Sequence, residues 1–130
     1  MPDWLNVGLW ILQVVVALLF LLAGVGHTIQ YERSRAKLAW ISAVPKPAVN
    51  AIGVLELLAA VGVVAPMATG ILPWLTPLAA LGLALLMLGA IPFHIKRKEP
   101  KNAGIVAFQA VLALGVFVGR WPLLAALLGR

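Results

Sequence analysis

Four long apolar runs occupy most of this 130-residue sequence, and they restrict the chain to folds that a lipid bilayer can solvate. A helix that crosses a membrane needs about 20 consecutive apolar residues, within a range of about 17–25. The runs cover residues 7–29, 48–64, 71–95 and 102–118. We therefore predict an all-α membrane protein, a bundle of four transmembrane helices that forms one domain over residues 1–130.

The composition favours the same class and excludes several kinds of function. The chain is 63% hydrophobic and 11% charged, whereas soluble domains are about 45–50% apolar and about 25% charged. It has no cysteine, which excludes disulfides, thiolate metal sites and dithiol chemistry. It also lacks a phosphate-binding loop, a nucleophile elbow and a metal-spaced cluster. We therefore expect no metal site, no nucleic-acid binding and no independent enzymatic activity.

Prolines predict several of the helix ends. Pro2 suits the start of the first helix, and Pro45 and Pro47 suit the start of the second, since proline is tolerated in a first helical turn. Pro66 and Gly70 are predicted to lie in the connection between the second and third helices.

The end of the fourth helix is left open by the sequence. Arg120, Trp121 and Pro122 interrupt the apolar run after Val118. The apolar tail at 122–129 is too short to cross a membrane by itself. Two interpretations fit it: the tail extends the fourth helix past a proline kink, or it lies in the membrane interface.

The basic residues predict the orientation of the chain. Eight of the ten lie in two loops: Arg33, Arg35, Lys37, Lys46, Lys96, Arg97, Lys98 and Lys101. The positive-inside rule places these loops in the cytoplasm and both termini outside, in the plasma membrane of a prokaryote. Within the first loop, residues 31–44 form either an amphipathic stretch on the inner leaflet or a solvated loop.

Polar residues inside the apolar runs are the candidate functional groups. Glu56 lies about eight residues into the second predicted helix, where a charged carboxylate costs about 2.5–3.5 kcal/mol on insertion scales. It either specifies the fold or handles protons and ligands. Gln13, Gln109 and Met87 lie on stripes of polar and small residues that recur at helical spacing. Such residues either pack helices together or contact a ligand.

The two histidines end the first and third predicted helices at the same side of the membrane. His27 and His94 are therefore expected at similar depth, near the cytoplasmic mouth. Facing histidines in a helix bundle can ligate haem, although two histidines without a further pattern do not define a haem site. They can also transfer protons at physiological pH. Alternatively, both lie at the interface without a ligand.

Several segments resemble the DoxX-like family of small four-helix membrane proteins. They are Phe20–Gly24, Gly53–Leu58 followed by Pro66, Pro77–Leu83, and Met87–Ala90 with His94. In the family a lysine often follows the glycine of the first helix. This chain has Gly24-Val25-Gly26-His27 there, so His27 could replace that lysine as a partner of Glu56 only when it is protonated.

The resemblance implies a membrane-associated redox role, because some family members are subunits of quinone-linked sulfur oxidoreductases and others act in redox homeostasis. The leading hypothesis is a subunit that binds a small apolar molecule such as a quinone, with Glu56 as its buried polar group. The alternative is an assembly or stability partner of another membrane protein, using Gly82 and Gly89, or a homo-oligomer. A small transporter or proton pathway is less favoured, since no inverted repeat is visible.

Overall fold

The computed structural model describes residues 1–129, which fold into helices without any strand. The helices are α1 Asp3–His27, α2 Tyr31–Lys37, α3 Ala39–Ser42, α4 Lys46–Gly62, α5 Ala65–Thr69, α6 Leu75–Lys96 and α7 Pro100–Leu128. Four segments are long and apolar enough to cross a membrane: α1, α4 together with α5, α6, and α7. The predicted all-α class with four membrane helices is confirmed.

Helix α1 begins directly after Pro2, as this proline predicted, and so starts four residues before its apolar run at residue 7. The third membrane helix begins later than its apolar run. Helix α6 starts at Leu75 instead of residue 71. The chain cannot be helical earlier, because Leu72 has a φ of 50° and Pro73 disfavours the α conformation in the residue before it.

The second membrane span continues past the predicted end at residue 64. Helix α4 ends at Gly62, and the short helix α5 follows as far as Thr69. Pro66 does not stop this helix, because it occupies the first turn, where its missing N–H has no helical partner to lose. Gly70, with a φ of 74°, then ends α5 in the left-handed conformation that glycine adopts readily.

The fourth helix includes the apolar tail, which decides between the two interpretations of residues 122–129. Helix α7 continues through Pro122 to Leu128, a length of 29 residues. At 1.5 Å per residue it is about 43 Å long, more than the hydrocarbon core of about 30 Å. The helix therefore extends beyond the core at one or both ends.

The membrane helices pack as two hairpins, α1 with α4 and α6 with α7. Their shared core is built from the inward faces of all four membrane helices, represented by Phe20 of α1, Ala60 of α4, Leu83 of α6 and Val116 of α7. Large apolar side chains on the opposite faces, such as Leu22 and Leu58, remain exposed. That pattern suits a protein whose outer surface contacts lipid.

The basic segment between α1 and α4 is not a solvated loop. Its two short helices carry Tyr31 and Ile41, which are buried in a small cluster with Val49 of α4. Trp40 and Val44 pack against the same cluster. This folded segment brings Trp40 to the cytoplasmic end of the predicted topology, next to the candidate site.

Candidate functional site

The site begins with a close contact between α1 and α4 at two glycines. A Cβ atom at Gly24 would lie 2.8 Å from the carbonyl oxygen of Gly53, and one at Gly53 would lie 2.8 Å from the Cβ of His27. Both distances are shorter than real Cβ contacts, so only glycine permits this approach. Residues three positions further along each helix share the same face, which brings His27 and Glu56 together.

His27 and Glu56 form a short pair at this crossing. The His27 Nδ1 lies 2.6 Å from the Glu56 Oε1, and the Glu56 side chain is 2% exposed. One proton between these atoms makes the pair neutral overall, whether it is written as imidazolium with carboxylate or as imidazole with carboxylic acid. A neutral pair reduces the cost of keeping a carboxyl group inside the membrane. His27 is thus the hydrogen-bonding partner of Glu56.

A second histidine–carboxylate pair lies at the end of α6. The His94 Nδ1 is 3.0 Å from the Glu99 Oε1, and the Arg97 Nε donates a hydrogen bond to the same oxygen at 3.1 Å. The hydrogen bond with His94 lowers the pKa of Glu99 from its ordinary value of 4.5, and Arg97 lowers it further. Glu99 stays ionised at neutral pH and directs the other ring nitrogen of His94, Nε2, away from itself.

Trp40 of α3 connects the two histidines. Its ring packs edge-on against His27, with ring centroids 5.3 Å apart, and against His94 at 5.8 Å. Phe93 extends the cluster with a contact to Trp40 at 6.2 Å. The two imidazoles are therefore neighbours at one end of the protein, as their positions at the ends of the first and third helices predicted.

These groups line one cavity of about 770 Å³, which we call the polar cavity. Its polar side chains are His27, Ser34, Glu56, His94, Asn102 and Gln109, and its apolar walls include Leu22, Ile52, Leu86, Met87, Phe93 and Val106. A mostly apolar cavity with a few convergent polar groups is typical of a small-molecule site.

The polar cavity presents several hydrogen-bonding side chains to a ligand. His27 bonds Oε1 of Glu56, which leaves Oε2 of the same carboxyl group, and the side-chain amides of Asn102 and Gln109 also line the cavity. These groups can serve a ligand with carbonyl or hydroxyl groups.

A comparison with known proteins identifies the protein family to which the chain is related. The model of the DoxX-like family matches residues 11–119 of the chain. The chain belongs to the DoxX-like family. No curated protein and no solved structure matches it. With its four apolar helices, this DoxX-like protein is a multi-pass integral membrane protein in contact with the lipid bilayer.

Five of the six predicted site residues of the DoxX-like protein line the polar cavity, and Gln13 does not. Gln13 is buried on α1, where its Nε2 donates a hydrogen bond to the carbonyl oxygen of Val63 at 2.8 Å. Its Oε1 accepts a hydrogen bond from the Arg120 Nε at 2.7 Å. Gln13 thus holds helices together in the N-terminal half of α1, as the packing interpretation of the amides proposed.

Arg120 belongs to a polar cluster that sequence reasoning missed. Its side chain is only 4% exposed, and its Nη1 donates a hydrogen bond to the Asn6 Oδ1 at 2.8 Å. The guanidinium also lies 5.7 Å from the centre of the Trp10 ring. Arg120 lies outside the two basic loops, on the outer side of the predicted topology. Its burial between α1 and α7 gives it a structural role that is independent of the positive-inside rule.

Trp40, Glu99 and Asn102 were also missed as site residues. No motif marks them, although Glu99 is the one acid in a basic loop and Trp40 lies in the amphipathic segment. Metal binding has no support in the part of the chain that the structure describes, where no three His, Cys, Asp or Glu side chains come together.

Proposed function

We propose that this DoxX-like protein is a membrane subunit that binds a small lipid-soluble molecule of the quinone class in the polar cavity and serves redox homeostasis at the membrane. The observation that carries the proposal is the buried His27–Glu56 pair, which faces an otherwise apolar cavity of about 770 Å³. A quinone carbonyl accepts hydrogen bonds, and the pair holds a proton close to the ligand space.

The chemistry of the site suits such a ligand for two reasons. Reduction of a quinone to a quinol takes up two electrons and two protons, and titratable pairs beside the ligand can hold those protons. Imidazole groups are common proton carriers in proteins, and the cavity contains two of them. Electrons would come from a partner redox protein, as the family's quinone-linked members imply.

The test is equilibrium binding of a short-chain benzoquinone to the protein in lipid nanodiscs. Glu56→Gln removes the acid proton that the His27–Glu56 pair can share with the quinone carbonyl, so it should weaken binding by about 2- to 10-fold, the worth of one hydrogen bond between neutral groups. The matched control is Glu32→Gln, because Glu32 is a surface carboxylate that is 71% exposed and does not line the polar cavity. Unchanged binding in the Glu56 variant, or equal losses in both variants, would refute the role of Glu56.

The proposal includes a membrane-protein partner or a second copy of the chain, in the plasma membrane of a prokaryote. Support comes from the large apolar surface, and from Gly82 and Gly89, where an added Cβ atom would meet no atom within 4 Å. Purification in mild detergent followed by native mass spectrometry tests this part. A monomer without any second polypeptide would contradict it.

A further inference from the structure

A second cavity of about 680 Å³ lies between α4 and α6, and we call it the α4–α6 groove. Its lining consists of leucine, alanine and glycine alone. The two helices touch beneath it, where a Cβ atom at Gly62 would lie 2.9 Å from the Cβ of Ala79 and where the Thr76 Oγ1 donates a hydrogen bond to the Gly62 carbonyl at 3.1 Å. The contact between α4 and α6 therefore forms the base of the groove, and no polar side chain lines it.

The groove and the polar cavity are adjacent. Leu85 and Leu86 line both of them. On α4, Leu55 lines the groove while the next residue, Glu56, lines the polar cavity. A molecule whose polar end lies beside Glu56 therefore reaches the groove by passing Leu85 and Leu86.

The length of the groove selects the kind of group that fits it. Along α6 the lining extends from Leu75 to Leu86, eleven steps of 1.5 Å or about 16 Å. Gly82 is exposed within this stretch, and no atom lies within 4 Å of the position of its missing Cβ. This long and wholly apolar surface has no side chain that could form a hydrogen bond with a polar group, and it complements an extended hydrocarbon chain.

We propose that the ligand is amphipathic, with its polar headgroup in the polar cavity and a hydrocarbon chain of at least about 16 Å along the α4–α6 groove. This inference rests on the proposed function and narrows its ligand class to quinones with long isoprenoid chains. Because lipid tails are as apolar as leucine, the chain gains packing in the groove and not hydrophobic transfer. The groove should therefore determine selectivity for chain length.

The experiment compares two probes in lipid nanodiscs: a benzoquinone with a long isoprenoid chain and the same headgroup with a methyl group in place of the chain. Gly82→Leu fills the groove from a position that has space for a side chain. Gly104→Leu is the matched control, because Gly104 is also exposed, is equally free of neighbours and lines neither cavity.

The wild type and Gly104→Leu should bind the long-chain probe more tightly than the short one. In Gly82→Leu the affinity for the long-chain probe should fall at least about fivefold, the lower end of the cost of overpacking a filled site. Its affinity for the short probe should not change, which also shows that the variant is folded. A preference retained in Gly82→Leu, or absent in the wild type, overturns the inference while the proposed function stands.

Other outcomes bear on this inference and on the proposed function on which it rests. If neither probe binds the wild type, the proposed function fails and the inference fails with it. A photoreactive group at the chain terminus should label α6 near Leu75 or Leu78 at the far end of the groove. Labelling confined to α1 or α7, or loss of a co-purifying protein in Gly82→Leu without loss of chain preference, overturns the inference.

Discussion

Replacing Gly53 by alanine tests the helix contact that sets the distance between His27 and Glu56. The new Cβ atom would lie 2.8 Å from the Cβ of His27 and 3.0 Å from the carbonyl oxygen of Gly24. Carbon atoms pack best at about 3.5–4.0 Å. Helices α1 and α4 must therefore separate by about 0.7 Å or more at this crossing.

That separation has two measurable consequences. The distance between the His27 Nδ1 and the Glu56 Oε1, now 2.6 Å, would increase to about 3.3 Å, beyond the usual hydrogen-bond range of about 2.7–3.2 Å. Overpacking by itself costs about 1–3 kcal/mol of unfolding free energy. We expect Gly53→Ala to be less stable by this amount and to bind the short-chain benzoquinone more weakly.

Unfolding by a denaturing detergent in mixed micelles measures the loss. The control is Gly82→Ala, because Gly82, like Gly53, is the eighth residue of its helix, but an added Cβ atom there meets no atom within 4 Å. The control also measures the intrinsic preference of the helix for alanine over glycine, about 1 kcal/mol in water. Equal unfolding free energies and equal probe affinities in the two variants would refute the reasoning.

Three other predictions follow from the polar groups and the topology. Arg120→Leu should lower the unfolding free energy by about 1–3 kcal/mol, since it leaves buried hydrogen-bonding groups without a partner. The double variant of Arg120→Leu with Gln13→Leu should lose less unfolding free energy than the sum of the two single losses, and additive losses would contradict a shared cluster. The hydrogen bond with His94 lowers the pKa of Glu99 in the folded protein from the ordinary value of 4.5. Ionised Glu99 should therefore stabilise the fold above the ordinary pKa, and this stabilisation should be lost as the pH falls through the pKa of the folded protein. The melting temperatures of the wild type and Glu99→Gln should therefore converge in acid, and a constant difference would contradict the ion pair. Since the chain has no cysteine, single cysteines can report its orientation: an impermeant thiol reagent should label Thr69→Cys in intact cells and Lys98→Cys only after permeabilisation, and the reverse pattern would invert the predicted topology.

The sequence by itself determined the class of fold. A run of about 20 apolar residues is helical in a membrane because each backbone polar group needs a partner within its own segment. The bounds of the apolar runs also predicted that Glu56 lies inside the second helix and that the histidines lie at the ends of the first and third helices. Helix ends were less well determined, since Pro66 was predicted to lie in a connection and Pro122 left the end of the fourth helix open, and both lie within helices.

Only the tertiary structure decided which polar residues act together. Glu56 and Gln13 both looked like isolated polar groups in apolar helices, but Glu56 meets His27 through the contact between Gly24 and Gly53, whereas Gln13 meets Arg120, 107 residues away in the chain. Helical periodicity specifies which face a residue occupies but not which helix lies opposite. That partner depends on how closely small residues let two helices approach, and this close packing joins the histidine pairs, Trp40 and the α4–α6 groove into one candidate site.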